Sequence, residues 1–320
     1  MVGAALVCGL ALPGVGNGSQ LIDRNATGVT LAVNADGQAL VRYRTNGVRR
    51  RVLAWGAVDA RHPSPRAQQV RLKLDYAGGS RTFGRLASRP FENECRRYDG
   101  PPLRFLVPRA ACKAPDGSYW ALQRWQPALP NLGFLPWLPR HRAVELHISH
   151  WSGPIAKLEV WTSWVSGGRY HHLFGRLSYR GTPVYGYRST KFGAPTDGYG
   201  RLVYLDTFNA RGYRPGWRRE NSFVSHNPSG VFCYGFFGRV PGASGYEKPA
   251  TWPAGRPRPP GVGDKYRLSV SGPGVTPDVS VVVPGLHDFD PRNPADVAYK
   301  QGQETVLNAI RGGHKLCVRR

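Results

Sequence analysis

Residues 70–76, VRLKLDY, alternate strictly between apolar and polar side chains. Val70, Leu72 and Leu74 belong to one set, and Arg71, Lys73 and Asp75 to the other. Successive side chains of an extended chain point to opposite faces, so this period of two predicts a β-strand with one buried and one solvated face. Such half-solvated strands are typical of antiparallel sheets. The pattern therefore predicts an antiparallel β protein.

Strand patterns recur along the whole chain and are separated by breaks rich in glycine and proline, of which there are 40 and 28. This composition is typical of many short strands joined by turns. The sequence predicts an all-β fold of sandwich-like antiparallel sheets. The predicted strands include residues 29–33, 39–44, 119–125, 143–151, 156–165, 173–179, 202–208, 231–237, 266–270 and 279–283.

Turn residues indicate how some of these strands connect. Residues 34–37, NADG, predict a hairpin between 29–33 and 39–44, because the glycine can adopt a positive φ. A break at residues 152–154 predicts a second hairpin, between 143–151 and 156–165. Residues 166–168 suggest a boundary between two β halves, 21–165 and 166–320, although one continuous sandwich fits nearly as well.

One C-terminal helix is expected to begin near Asn293. Asn293 suits the N-cap, Pro294 suits the first turn, and Val297, Val306 and Ile310 keep helical spacing.

The first 20 residues contain no charged side chain, and residues 2–12 form an apolar run. We interpret residues 1–20 as a signal peptide, with a buried N-terminal strand as the alternative. The run is shorter than the roughly 20 apolar residues that a transmembrane helix needs, and no later segment is longer. The sequence therefore predicts a secreted, extracellular protein without a membrane span.

Cysteine usage agrees with export. Four cysteines follow the predicted signal peptide, and an even number in a secreted chain predicts two disulfides. Three connectivities are possible. We favour the local pair Cys95–Cys112 and the long-range pair Cys233–Cys317. Their spacing does not match a zinc site, and no cofactor is predicted.

The chain carries a formal net charge of +24, from 36 arginines and eight lysines against 20 acidic residues. Apart from a run at residues 49–51 and the last two residues, the basic side chains are dispersed. This excess favours association with an anionic polymer or glycan of the cell envelope. Arginine accumulation from a GC-rich coding sequence is an equally good explanation. Specific nucleic-acid binding is not predicted, and the oligomeric state stays open.

Residues 217–237, WRRENSFVSHNPSGVFCYGFF, concentrate polar side chains ahead of an aromatic strand. Asp206, Glu220 and His226 are the candidate catalytic acid and base groups, should they line a cleft. The preferred interpretation is structural: arginine–carboxylate pairs beside a disulfide, with Asp206 reaching Arg218, Arg219 or His226.

Two further groups of candidates follow from the strand patterns. If the second predicted hairpin forms, Glu159 would lie near His147 and Glu145, and these three could bind a metal. Ordinary solvated side chains on an outer sheet face are the alternative. Exposed tryptophans could stack on sugars, although burial is the usual fate of tryptophan. The binding candidates are Trp137, Trp151, Arg218 and Arg219.

Four segments together resemble a group of secreted proteins of high-GC actinobacteria, over nearly the whole chain after the signal peptide. They are residues 21–29 (LIDRNATGV), 112–123 (CKAPDGSYWALQ), 145–154 (ELHISHWSGP) and 216–236 (GWRRENSFVSHNPSGVFCYGF). The resemblance implies export and a shared disulfide pattern, and it brings no catalytic residue. We expect a secreted or cell-wall-associated binding or structural protein. The alternative is a secreted hydrolase or lyase acting on polysaccharide or peptide.

Overall fold

The computed structural model describes residues 19–62, 69–80, 91–125, 144–165, 168, 170–184, 188–189, 195–196, 203–209, 216–219, 223–226, 231–235 and 263–311. The strands are β1 (Gln20–Arg24), β2 (Thr27–Val33), β3 (Ala39–Thr45), β4 (Val48–Gly56), β5 (Leu72–Asp75), β6 (Arg96–Arg97), β7 (Leu106–Lys113), β8 (Tyr119–Trp125), β9 (Glu145–Trp151), β10 (Lys157–Val165), β11 (Tyr170–Tyr179), β12 (Thr182–Pro183), β13 (Arg188–Ser189), β14 (Pro195–Thr196), β15 (Val203–Phe208), β16 (Trp217–Arg219), β17 (Phe223–His226), β18 (Val231–Gly235), β19 (Lys265–Val270) and β20 (Val279–Pro284). The helix α1 spans Pro294–Arg311.

Two antiparallel sheets from the first half of the chain pack face to face. One has the order β2-β3-β4-β5, and the other has the order β1-β9-β8-β7-β6. Alternate side chains of each sheet enter a shared apolar core, in which Val41 and Val52 of the first sheet join Trp120, Leu122 and Ile148 of the second. This arrangement is a β-sandwich, as the period-two patterns predict.

A second pair of sheets follows. One has the order β10-β11-β18-β17, with β12 paired to β11, and the other has the order β16-β15-β19-β20; β13 and β14 form a separate short pair. Leu173, Leu177 and Phe232 share a core with Tyr266 and Leu268. The all-β, sandwich-like fold is therefore confirmed, and so is the C-terminal helix.

The helix begins where the sequence predicts. The side-chain oxygen of Asn293 accepts a hydrogen bond from the backbone N–H of Ala295 at 3.0 Å, and its carbonyl accepts one from Val297 at 3.2 Å. Leu307 then packs against Phe174 and Cys233. One apolar stripe thus holds α1 against the outer face of the sheet that contains β11 and β18.

The strand predicted from residues 70–76 forms, but its alternation ends early. Leu72 is buried while Arg71 and Lys73 are exposed, as expected. Asp75, predicted to be solvated, is buried, and Tyr76 is exposed. The reason is the turn that follows: a carboxylate oxygen of Asp75 accepts the N–H of Ala77 at 2.7 Å, so the chain leaves the sheet there.

One predicted hairpin is correct and the other is wrong. β2 and β3 pair through the turn at residues 34–37, whereas β9 pairs with β1 and β8, and β10 pairs with β11. Asp59 fixes the connection after β9 in a position away from a hairpin turn, because its carboxylate accepts hydrogen bonds from the N–H and the hydroxyl of Ser152, at 2.7 and 2.6 Å. The change of sheet therefore falls within residues 152–156. The division into halves at 165 stays a prediction, although β10 and β11 pair directly across it.

Candidate arginine site

A two-residue turn fixes the register of β3 and β4. Asn46 and Gly47 have φ of 49° and 76°, and Thr45 pairs with Val48 on either side of them. Positive φ at both central residues is the signature of the type I′ turn, whose twist matches that of antiparallel strands and for which Asn-Gly is the preferred sequence. The turn sequence alone therefore sets which residues of the two strands face each other.

This register brings four arginines together. Arg42 pairs with Arg51 and Arg44 with Arg49, and residues that face each other across antiparallel strands share a sheet face. Facing Cβ atoms lie about 5 Å apart, and residues two positions apart along a strand are separated by about 7 Å. All four side chains are exposed. We call this two-by-two set the arginine array.

The opposite face of the same hairpin anchors the array. Val41, Tyr43 and Val52 alternate with its arginines and are 3% exposed or less, inside the core of the first sandwich. Burial of large side chains stabilises by about 1.5–3 kcal/mol each. A slip of one residue would bury the arginines and expose this core, so the register is strongly specified.

The array is not explained by fold stability. The ion pairs between described residues include none of its four arginines. Like charges directly opposite each other on a sheet are destabilising, by at most about 0.8 kcal/mol per facing pair in water, the value for guanidinium groups as close together as the Cβ atoms. Four cations in one small area are therefore a feature that an anionic partner would compensate.

A second concentration of polar groups is buried on the outer face of β9, opposite the core residues Leu146 and Ile148 and beneath the segment that precedes β20. The Ser19 hydroxyl donates to an Asp278 carboxylate oxygen at 2.5 Å and lies 2.8 Å from Nδ1 of His147, while Nε2 of His147 lies 3.0 Å from a Glu145 oxygen. We call Ser19, Glu145, His147 and Asp278 the buried cluster. Gln123 fixes it by bonding both the N–H and the carbonyl of Asp278, at 2.8 and 3.0 Å.

The electrostatics of the buried cluster favour a protonated His147. Burial acts to lower the pKa of His147, but the hydrogen bond to Glu145 and the charge of Asp278 outweigh it, so the pKa is raised. Burial likewise acts to raise the pKa of Glu145, but His147 and Arg24 outweigh it and the pKa is lowered. Ser19 is 2% exposed, and its hydroxyl donates a hydrogen bond to Asp278, so it is not presented to a substrate. We interpret the cluster as a structural contact between segments that are distant in sequence.

The catalytic candidates do not form a described triad. Asp206 is 1% exposed and accepts two hydrogen bonds from Arg267, at 2.7 and 3.1 Å. The Arg267 guanidinium also lies 4.4 Å from the ring centroid of Trp217. Asp206 therefore forms an arginine–carboxylate pair, as in the structural interpretation of the sequence. Its partner is Arg267, which the sequence did not indicate. His226 lies on β17, which belongs to a different sheet from β15, the strand of Asp206. The side chain of His226 and the whole of Glu220 lie outside the described part of the structure.

The candidate binding residues fare unequally. Trp151 is fully buried, with Tyr119 at 5.5 Å between ring centroids, so it offers no face to a sugar and this expectation is wrong. Arg218 and Arg219 lie on β16, opposite Thr207 and Asp206, but their side chains are not described. Trp137 lies outside the described residues.

The arginine array was not predicted from the sequence, although the Asn-Gly turn and the RYR and RRR segments that flank it were sufficient to predict it.

The candidate metal ligands are separated. Glu145 and His147 are in contact, but Glu159 lies on β10 in another sheet, where it pairs with Arg176 at 2.5 Å and Lys157 at 2.8 Å. The expected grouping is wrong because the second predicted hairpin does not form. Within the described residues, no three histidine, cysteine, aspartate or glutamate side chains are placed to hold a metal ion.

The first predicted disulfide is confirmed. Cys95 and Cys112 are bonded, with their Cα atoms 5.5 Å apart. Cys233 is also disulfide-bonded, and its predicted partner Cys317 lies outside the described residues, so that pairing stays a prediction.

Comparison of the chain with family models, with curated proteins and with solved structures gives no match.

Proposed function

We propose that this protein is a secreted or cell-wall-associated binding protein that engages an anionic polymer through the arginine array. The single observation that carries the proposal is the register of β3 and β4, which places four exposed arginines on one face without a carboxylate partner among the described residues. The net charge of +24 supports it, because a strongly basic chain attracts polyanions before any contact is made.

Export is the second part of the proposal. The uncharged, apolar start of the chain suggests a signal peptide. Ser19 is buried against His147 and Asp278, and Gln20 begins β1, so we propose that the removed segment ends before Ser19 and not at residue 20. The Cys95–Cys112 disulfide is compatible with an oxidising compartment. No helix in the described ranges is long and apolar enough to span a membrane.

Binding of this kind has a specific dependence on salt. Each polymer charge that an arginine neutralises releases a condensed counterion, so the logarithm of the affinity falls linearly with the logarithm of salt concentration. Four contacts to a single-stranded polyanion predict a slope of roughly −3. The proposal attributes the affinity to these charge contacts, so binding should weaken steeply as the salt concentration rises.

The test is retention on purified cell wall and on a soluble polyanion at low salt. We expect the quadruple variant R42Q/R44Q/R49Q/R51Q to lose most of the affinity and most of the salt slope. A matched control removes the same amount of charge elsewhere, by the same substitution at four exposed arginines, Arg61, Arg97, Arg104 and Arg292. Equal losses in the two variants would mean that only net charge matters, and unchanged binding in the array variant would reject the site.

A further inference from the structure

We propose that the arginine array recognises the phosphate groups of a phosphodiester polymer without bases, such as a poly(glycerol phosphate), with one facing pair of arginines on each phosphate. This inference rests on the proposed function and adds the chemical class of the ligand. It depends on three features of the array: the identity of the side chains, the pairing of the arginines across the strands, and the distance between the two pairs.

All four cations are arginines, and the chain provides eight lysines at other positions. The guanidinium group presents its N–H donors as a planar fork that matches two oxygens of a carboxylate or a phosphate, whereas a lysine ammonium acts as a point charge. General attraction of a polyanion needs only charge. Because 36 of the 44 basic residues are arginines, the identity of these four side chains does not by itself select a ligand, but it makes recognition of an oxyanion by paired hydrogen bonds possible.

The facing pairs favour phosphate over carboxylate. Arg42 and Arg51 start from Cβ atoms about 5 Å apart. The Arg51 side chain lies against Gly78 beyond β5, so binding would require it to rotate toward β3 before both forks converge on one anionic group. A phosphodiester has two free oxygens, and each can accept hydrogen bonds from directions around its P–O bond, so two forks can approach the group from two sides. A carboxylate has two oxygens in one plane, and a single fork occupies both of them. Arg44 and Arg49 form the second pair with the same geometry.

The two pairs are about 7 Å apart along the strands. The extended repeat of a poly(glycerol phosphate) has a similar length, so consecutive phosphates can lie on consecutive pairs. Single-stranded nucleic acid has comparable phosphates, but its binding proteins usually add aromatic rings on which bases stack. Tyr43, the aromatic residue within the array segments 42–44 and 49–51, is 3% exposed and faces the core. A polymer without bases therefore fits better.

The test compares dissociation constants for three soluble polymers of equal charge number: poly(glycerol phosphate), polyglutamate and single-stranded DNA. We expect poly(glycerol phosphate) to bind about tenfold more tightly than polyglutamate, which corresponds to one charge-assisted hydrogen bond. The variant R42K/R44K/R49K/R51K keeps the charge and removes the forks. It should retain salt-dependent binding to both polymers and lose the preference for phosphate.

Failure of this inference is distinguishable from failure of the proposed function. Equal binding of polyglutamate, or a phosphate preference that survives in the lysine variant, would overturn phosphate recognition while leaving polyanion binding intact. Tighter binding of DNA than of poly(glycerol phosphate) would overturn the choice of a base-free polymer. If no polymer binds at low salt, the proposed function fails as well. The double variant R44K/R49K, which changes one pair, replaces the quadruple variant if the latter does not fold, and should halve the logarithm of the preference.

Discussion

The buried cluster and the arginine array treat charge in opposite ways. In the buried cluster, His147 lies between the carboxylates of Glu145 and Asp278. In the arginine array, four cations face one another in solvent. An unpaired charge in the interior costs several kcal/mol, whereas repulsion at the surface costs about 1 kcal/mol or less. An unpaired charge therefore destabilises the fold only slightly at the surface, where it can also contact a binding partner.

The two regions also differ in what holds them together. The buried cluster joins segments that are far apart in sequence: Ser19 before β1, His147 on β9, and Asp278 just before β20. The arginine array depends on a single hairpin. Substitutions in the first region should therefore change stability, and substitutions in the second should change binding.

The largest expected effect comes from Asp278→Ala. Removing one partner of a buried charge network leaves His147 without the compensation of Asp278, which typically costs about 3–5 kcal/mol. Urea denaturation should show this loss in the free energy of unfolding. The quadruple Arg→Gln variant of the array is the contrast and should not be destabilised. Equal destabilisation of both variants would remove the distinction between the two regions.

Acid should destabilise the protein through buried histidines outside the cluster. Burial lowers the pKa of His172 to about 4, and it also lowers the pKa values of His150 and His171 to about 4. A folded pKa below the unfolded value of about 6.5 means that the neutral form stabilises the fold. That stability is present above pH 6.5 and is lost as the pH falls through the folded pKa. Below the folded pKa, each protonated histidine lowers the free energy of unfolding by about 3 kcal/mol.

His172→Phe tests this directly, because burial is the one cause of its shift. Unfolding measured between pH 7 and pH 4 should show a shallower decline in the variant than in the unchanged chain. His147 should behave oppositely: its folded pKa is raised, so its contribution is complete below pH 6.5 and is lost as the pH rises through the folded value. A parallel acid profile in His172→Phe would show that this histidine is not the titrating group.

A smaller effect is expected from Ser19→Ala. The hydroxyl bridges His147 and Asp278, and its removal from a buried site should cost about 1–3 kcal/mol. Ser118→Ala is a matched control, because the Ser118 hydroxyl bridges His150 and Asp116 in the same way. Ser118 and His150 are buried as well, but Asp116 is exposed, so water can replace the hydrogen bond to this carboxylate and the loss should be smaller. Equal losses in urea denaturation would mean that burial of the carboxylate does not set the cost.

The sequence predicted local structure well and long-range contacts poorly. The strand patterns, the turn at residues 34–37, the Asn293 cap and the Cys95–Cys112 disulfide all depend on neighbouring residues or short separations, and the structure contains each of them. The hairpin between β9 and β10 failed because Asp59, about 90 residues away, holds the connecting turn. Sequence spacing contains no information on such a contact.

The same limit explains the errors at the candidate sites. His147 was expected on a solvated face, but the segment that contains Asp278 covers that face and buries His147. Asp206 and Arg267 are 61 residues apart in sequence and face each other only because β15 pairs with β19. The arginine array is the exception, because the Asn-Gly turn fixes its register locally. Its position therefore follows from the sequence of the hairpin, whereas the net charge of the chain contains no information on it.

The smallest expected change in stability, and the sharpest test of the array, comes from Arg49→Glu. Arg44 would then face a carboxylate in place of a cation, so a repulsive cross-strand pair becomes an attractive one, and the free energy of unfolding should rise by about 0.5–1 kcal/mol. Polymer affinity at low salt should fall by at least about tenfold, because one phosphate contact is lost and an anion is added. Arg49→Gln should lie between the two in both measurements. Opposite signs for stability and binding are what a functional surface predicts, because its charges serve the partner at the expense of the fold. A variant that is stabilised and still binds normally would show that these arginines do not contact the polymer.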